Sequence, residues 1–298
     1  MLKRLFIRTL QTFFIILIVL ILIIAGVTVW YFNRPLPATI ENQQIFSGVT
    51  YSRIVDDSVP LIIHRIAIDL SNPDIRFFTT PADDIAGFDY AARTTSEFLE
   101  EFDLQVAING DFFDPWHSYS PFDYYPHSGD GVNARGLTIS EGIIAAEGYA
   151  PDASSTLYIT ADNQVSFTFP DARVGTAISG NVMVVENGVY AITERNAFLD
   201  NRHPRTAIAL DETGETLFLF VVDGRQPNYS EGATMSEFAE IIINNGGYMA
   251  LNLDGGGSTS LVRAGENGNP VLLNSAIHTR IPFRERPIAN HFGIYVQQ

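Results

Sequence analysis

Asp254 ends the apolar run LNLD and is followed at once by Gly255, Gly256 and Gly257, then Ser258, Thr259 and Ser260. An ordinary turn needs one or two glycines. Each further one costs roughly 0.5–1 kcal/mol relative to alanine in ordered structure. A glycine run after a strand presents successive backbone N–H groups, which can converge into an anion-binding nest. Ser258 and Thr259 add hydroxyl donors, and Asp254 is placed to act on whatever the nest holds. The run lacks the lysine of a nucleotide-binding phosphate loop. It also lacks the G-x-S-x-G spacing of a nucleophile elbow. A purely structural turn capped by Asp254 is the competing use of the same residues.

Two arginine motifs point to the same chemistry. HPRTAIAL and VVDGRQPNYSEG flank a predicted hairpin that returns from Arg205 to Arg225. Two guanidiniums at one sheet end could clamp a phosphate through bidentate bonds; surface charge balance is the other reading. Asp223 is a second candidate carboxylate, although it also suits a tight Asp-Gly turn. The stretch NGDFFDPWHSYSPFDYYPHSGD (109–130) places Phe112, Phe113, Trp116, Tyr119, Tyr124 and Tyr125 beside several carboxylates. Stacked rings with carboxylates suit a sugar, and Asp111 with Asp114 could hold a divalent cation such as calcium. A lid packed on the domain is the alternative. His203 and His291 lie near arginine motifs without standing out.

The elements that must position these residues are mostly strands: 61–70, 104–110, 181–190, 205–224 and 291–297. Glu186-Asn187-Gly188 and Glu212-Thr213-Gly214 read as hairpin turns. Two helices are predicted, about Thr95 to Phe102 and about Met235 to Asn244. TTSEFLE and TMSEFAE open them with a Thr followed three residues later by Glu, a capping box. Each helix precedes an apolar strand ending in Asn, Asp and glycine, so small polar groups arrive at strand C-termini, where open sheets bind ligands. An internal duplication would explain the pair; so would the general likeness of capped amphipathic helices. The expected class is α+β, a mixed, largely antiparallel β-sheet core with flanking helices, preceded by one transmembrane helix.

That helix is the uncharged stretch between Arg8 and Arg34. Residues 9–32 as a helix would span about 36 Å, enough for a ~30 Å hydrocarbon layer. Lys3, Arg4 and Arg8 precede it without an acid, which puts the N-terminus in the cytoplasm, while Trp30, Tyr31 and Phe32 suit the far interface. We expect residues 1–32 to be a stub and uncleaved signal anchor, 33–44 a linker, and 45–298 one extracytoplasmic domain; cleavage after Ala38 is the alternative. Of 18 basic and 34 acidic residues, four basic ones fall in residues 1–34, leaving 14 against 34 and a net of −20. Such a domain does not bind nucleic acid through its phosphate backbone. Lys3 is the only lysine, so an anion site beyond the span must use arginine forks. Cysteine is absent, which excludes disulfides, thiolate metal sites and a cysteine nucleophile.

AINGDFFD, RTAIAL, FLFVVDGRQPNYSEGATMSEFAEIIINNGGYMALNLDGGGSTSLV and RPIANHFGIY, in that order, resemble the phosphodiester glycosidase family over about 104–296. The resemblance implies hydrolysis of a sugar-1-phosphodiester, GlcNAc-1-phosphodiester-like, between the anomeric carbon and the phosphate oxygen, on envelope or exopolysaccharide glycans. It implies site residues at Asn109, Asp111, Arg205, Thr206, Asp223, Arg225, Glu237, Asp254, Gly255, Gly256, Gly257, Ser258, Thr259, Arg286 and Asn290, with His291 supporting. Asp111 stands where that family usually has a small residue. A phosphodiester leaving group needs charge stabilisation more than protonation, and arginines with a backbone nest supply it. A carboxylate then activates water or attacks the anomeric carbon, with Asp254 the first choice and Asp223 the second. No cofactor is required. The rival readings are a membrane-anchored glycan-binding or assembly module without turnover, and a phosphodiesterase that breaks P–O.

Overall fold

A computed structural model describes residues 2–150, 154–193 and 196–297. Helix α1 (Leu2–Phe32) leads the chain. Its Phe6–Phe32 portion is apolar and long enough to cross a bilayer, and its side chains are exposed from Phe6 to Trp30. A mainly apolar helix exposed over most of its length suits a membrane span or a signal peptide.

The rest of the described chain is built on two facing sheets with a helix on the outer face of each. An eight-stranded sheet runs, in spatial order, 40–46, 49–56, 61–69, 216–222, 205–210, 249–252, 182–186 and 189–190. A five-stranded sheet runs 270–272, 261–264, 106–109, 291–296 and 75–79. Their inner faces meet in one core, with Ile208, Leu219 and Leu251 from the first against Ile108, Phe292 and Ile294 from the second. Helix α2 (Thr95–Glu101) covers the outer face of the smaller sheet through Phe98 and Leu99. A single turn, α3 (Ala197–Asp200), precedes the second long helix, α4 (Met235–Asn244). Helix α4 covers the larger sheet through Phe238, Ala239 and Ile242. A third sheet, built from 138–146, 155–166 and 174–180, adds Leu157, Ile159 and Ile178 to the core. All ladders among the described strands are antiparallel, so the largely antiparallel expectation holds.

Both capping boxes form. Thr94 accepts from the Glu97 N–H and Thr234 from the Glu237 N–H, each Glu answering the cap's own N–H. These satisfy donors that would otherwise be orphaned at the helix start. The two units also repeat in topology. Strands 189–190, 182–186, 249–252, 205–210 and 216–222 lie in the same spatial order as 270–272, 261–264, 106–109, 291–296 and 75–79. In each, a helix joins the last of these strands to the third. The first unit is continuous in the chain. The second is assembled from both ends of the domain, a circular permutation of the same pattern. The strand 40–46 starts inside the stretch expected to be a linker, so residues 40–44 belong to the sheet.

Candidate active site

The ends of strands 106–109 and 249–252 are tied together. Asp254 N–H donates to the Gly110 carbonyl at 3.0 Å. Asn109 donates from Nδ2 to the Asp254 carbonyl at 2.6 Å, while its Oδ1 accepts from Thr206 Oγ1 and the Ser260 N–H. Asn109, Thr206, Thr259 and Ser260 are buried, so this knot is a scaffold. It delivers the Asp254 side chain to the floor of a cleft of about 590 Å³.

Asp254 is the one carboxylate lining that cleft among the described residues. Its Oδ1 accepts from the Gly255 N–H at 2.9 Å and its Oδ2 from Ser258 Oγ at 2.5 Å. Burial raises its pKa above the ordinary aspartate value, against the opposing pull of Arg286, these two hydrogen bonds and Arg225. Three arginines, Arg225, Arg280 and Arg286, share the wall with it. None has a carboxylate within ion-pair distance among the described residues. Burial, first of all, lowers the pKa of Arg225 and Arg286, Arg225 being further depressed by Arg286 and Arg280. Three guanidiniums beside one carboxylate give the cleft an excess of positive charge, which suits an anion.

The glycine run explains how the arginines get there. A β-carbon on Gly256 would lie 2.8 Å from an Arg225 terminal nitrogen, and one on Gly257 would lie 2.5 Å from an Arg286 terminal nitrogen. Gly256 also has φ +63°, which a side chain would strain. Gly255 faces the Pro204 carbonyl, 2.7 Å from its own ideal β-carbon. The glycines therefore admit the Arg225 and Arg286 guanidiniums close to the backbone. Arg286 is pinned further. Its Nε donates to His278 Nδ1 at 3.2 Å, one terminal nitrogen donates to Ser258 Oγ at 3.2 Å, and the guanidinium lies over Trp116. Burial and the neighbouring arginines lower the His278 pKa to about 3, so the imidazole accepts that bond as the neutral ring. His203, also on the wall, accepts from Arg225 at 3.3 Å and is likewise neutral, its pKa lowered to about 4 by burial and then by Arg225 and Arg205. Arg225, Thr279 and Arg280 all have φ between +51° and +63°. Such left-handed backbone on non-glycine residues concentrates at functional sites.

Aromatic side chains complete the lining. Phe112, Phe113, Trp116 and Tyr119 line the cleft, from the loop that sequence assigned to sugar stacking. Tyr124 and Tyr125 instead hold the loop in shape: Tyr124 lies under the Arg284 guanidinium, and Tyr125 donates to the Gly131 carbonyl.

Several expected site residues lie elsewhere. The 205–210/216–222 hairpin forms as predicted, but Arg205 shares its strand face with Ala207 and Ala209, the face under α4. Its guanidinium donates to the Ala233 and Asn201 carbonyls and does not line the cleft. Burial lowers its pKa to about 10. The arginines that line the cleft are Arg225, Arg280 and Arg286. Asp223 is enclosed by His64, Asn274 and the Ser275 N–H, away from the cleft wall. Asp111 is also enclosed, accepting from the Phe112 and Gly136 N–H groups. Burial raises its pKa to about 7, with Asp254 adding to the rise. Asp114 is exposed and accepts from the Tyr149 hydroxyl. Among the described residues no group of three His, Asp or Glu side chains is placed to hold a metal ion. Glu237 caps α4 and pairs with Arg202. Asn290 holds the Asp111 N–H and Thr138, and His291 is buried against Thr80 and Phe98. Arg280, His278 and Thr279 were missed in the sequence. The available signal was RIPFRER (280–286), three arginines in seven residues of an acidic domain.

The strand ends of this layered fold surround an arginine-rich cleft that is also lined by aromatic side chains. The phosphodiester glycosidase family model matches residues 102–295, and the chain belongs to that family of glycosidase-type hydrolases. Among solved structures it is similar to the zebrafish N-acetylglucosamine-1-phosphodiester alpha-N-acetylglucosaminidase catalytic domain auto-inhibited by pro-peptide. That match has 22% identity, a TM-score of 0.59, and covers 88% of this chain and 84% of that one. A hypothetical protein from Synechocystis matches at 17% identity and TM-score 0.58, covering 89% of this chain and 64% of that one. A putative exported protein from Burkholderia pseudomallei matches at 13% identity and TM-score 0.51, covering 83% and 74%. At these identities the structures speak for the fold alone. A comparison with curated proteins found no match.

Proposed function

We propose that the chain is a membrane-anchored hydrolase that cleaves a sugar-1-phosphodiester of the cell envelope at the anomeric C–O bond. The observation that carries the reading is the single carboxylate, Asp254, on a wall shared with three arginines that lack carboxylate partners among the described residues. The phosphate would lie against Arg225, Arg286 and Arg280, and the sugar ring against Trp116 and its aromatic neighbours. Water adds to the anomeric carbon as the C1–O bond breaks. The electron pair stays on the phosphate oxygen, where the arginines stabilise the extra negative charge. Asp254 takes the water proton or first bonds to the anomeric carbon itself. Its raised pKa makes it the stronger base in either role. The chemistry rests on the chain's own residues and calls for no cofactor.

Helix α1 would anchor the chain with its basic end inside and the domain outside the cytoplasm. The test of the reaction is product identity after incubation of the full chain with an aryl GlcNAc-1-phosphodiester. Free sugar plus aryl phosphate is expected. Sugar-1-phosphate would mean P–O cleavage, and absence of turnover would leave a binding module.

A further inference from the structure

The end of α1 is not a loose tether. Tyr31 donates from its hydroxyl to the Arg225 carbonyl at 3.4 Å, and Asn228 donates to the Phe32 carbonyl at 3.1 Å. Arg34, the first charge after the span, is buried, its guanidinium 3.2 Å above the Tyr229 ring centre and bonded to Ser275 Oγ. The same guanidinium faces Phe283 at 5.1 Å. The segment leaving the apolar helix is thus packed on the two loops that supply Arg225, Arg280 and Arg286 to the cleft.

The rim continues outward from that contact with apolar tips. Ile281 and Phe283 are exposed beside Arg280, and Arg284 bonds the Pro121 carbonyl of the hairpin whose tip is Phe122. Phe122 is 96% exposed, and Tyr119 on the same hairpin is 80% exposed. Exposed aromatics interspersed with arginines are costly in water and suited to a headgroup layer. The bulk of the domain is strongly acidic. With a net charge of −20 beyond the span, approach to an anionic bilayer is favoured through a face that carries arginines, as this rim does.

From these contacts we infer that the cleft opens on the bilayer surface, with Phe122, Ile281 and Phe283 in the interface, and that its substrate is a sugar-1-phosphodiester borne on a membrane lipid. The inference rests on the hydrolase and anchor readings above. Hydrolysis would release the free sugar from the surface. The lipid keeps a phosphomonoester, and the proton gained from water passes by way of Asp254 to solvent.

The chain has two tryptophans, Trp30 in α1 and Trp116 on the cleft wall, which makes the geometry measurable. In nanodiscs containing brominated phosphatidylcholine, full-length Trp30→Phe/Trp116→Phe carrying Phe122→Trp should be quenched. The same background carrying Phe169→Trp, an exposed aromatic beside the third sheet, should not be. No quenching at position 122, or equal quenching at both, overturns the docking. For the substrate, Phe122→Ser/Ile281→Ser/Phe283→Ser should lose at least about tenfold in turnover of a lipid-borne sugar-1-phosphodiester, having lost interfacial contacts. It should retain turnover of a short soluble counterpart. Equal effects on the two substrates would overturn the lipid assignment. Failure of the wild type on both, with quenching intact, would overturn the hydrolase reading and the lipid-substrate assignment, but not the docking geometry.

Discussion

The Arg286 guanidinium occupies the space beside Gly257 that a side chain would claim, with a terminal nitrogen 2.5 Å from the ideal β-carbon position. Arg225 stands in the same relation to Gly256. The glycine run and the arginines are therefore one device, and its parts are separable by mutation.

Gly257→Ala leaves its backbone unstrained and displaces the Arg286 guanidinium from its bonds to His278 and Ser258. It should lower kcat/KM at least about tenfold, or about 1.4 kcal/mol, with a smaller loss of melting temperature than Gly256→Ala or Gly255→Ala. Gly256→Ala adds left-handed strain of roughly 1 kcal/mol to the displacement of Arg225, and should lower both activity and stability. Gly255→Ala meets the Pro204 backbone, which cannot move aside, and should chiefly destabilise. Thermal melts beside steady-state kinetics distinguish the three; identical outcomes would contradict the geometry.

Asp254→Asn keeps shape but removes base and nucleophile. We expect kcat to fall at least about a thousandfold, about 4 kcal/mol, with ligand affinity largely retained. In the wild type, activity should fall as pH drops through the raised Asp254 pKa, above the usual carboxylate range. A fully active Asp254→Asn protein would refute the assignment, because no other carboxylate lines the cleft among the described residues.

Arg225→Lys and Arg205→Lys should fail differently. An ammonium at 225 loses planar phosphate geometry and should lower kcat/KM with the fold intact. At 205 the lost fork holds Ala233 and Asn201, so urea stability should fall first. A normal melt for Arg205→Lys with kcat/KM reduced as in Arg225→Lys would restore Arg205 to the phosphate clamp.

Asp111 binds its proton more tightly folded than unfolded, up to about pH 7 against an ordinary 3.8. The native state then holds more protons between those values, so this group's stability contribution is full below about pH 4 and is lost as pH rises toward 7. The difference in unfolding free energy between wild type and Asp111→Asn should decline across that window by up to about 4 kcal/mol, then level off. Urea titrations at pH 4.5 and 7.5 measure it, and a pH-independent difference would contradict it.

Protease added to intact spheroplasts should digest residues beyond Arg34, given the basic residues before the span. Full protection would reverse the orientation, and a soluble form starting near Thr39 would mean cleavage.

Local physics made much of this legible in the sequence. An uncharged span, two Thr-x-x-Glu caps, strands of period two and hairpin glycines each depend on neighbours a few residues away, and all appear where expected. Asp254 with its glycines was legible for the same reason, as an unusual cost at one place. What tertiary structure decided was which polar groups share the cleft. Strand pleating turned Arg205 toward α4, and burial enclosed Asp223 and Asp111 with partners distant in sequence. The permuted second unit brought residues 277–286 from the chain's end to face 112–121 and 254–257. Side-chain direction at a strand end depends on which face the whole fold buries, and that is fixed only when the sheets and helices pack together.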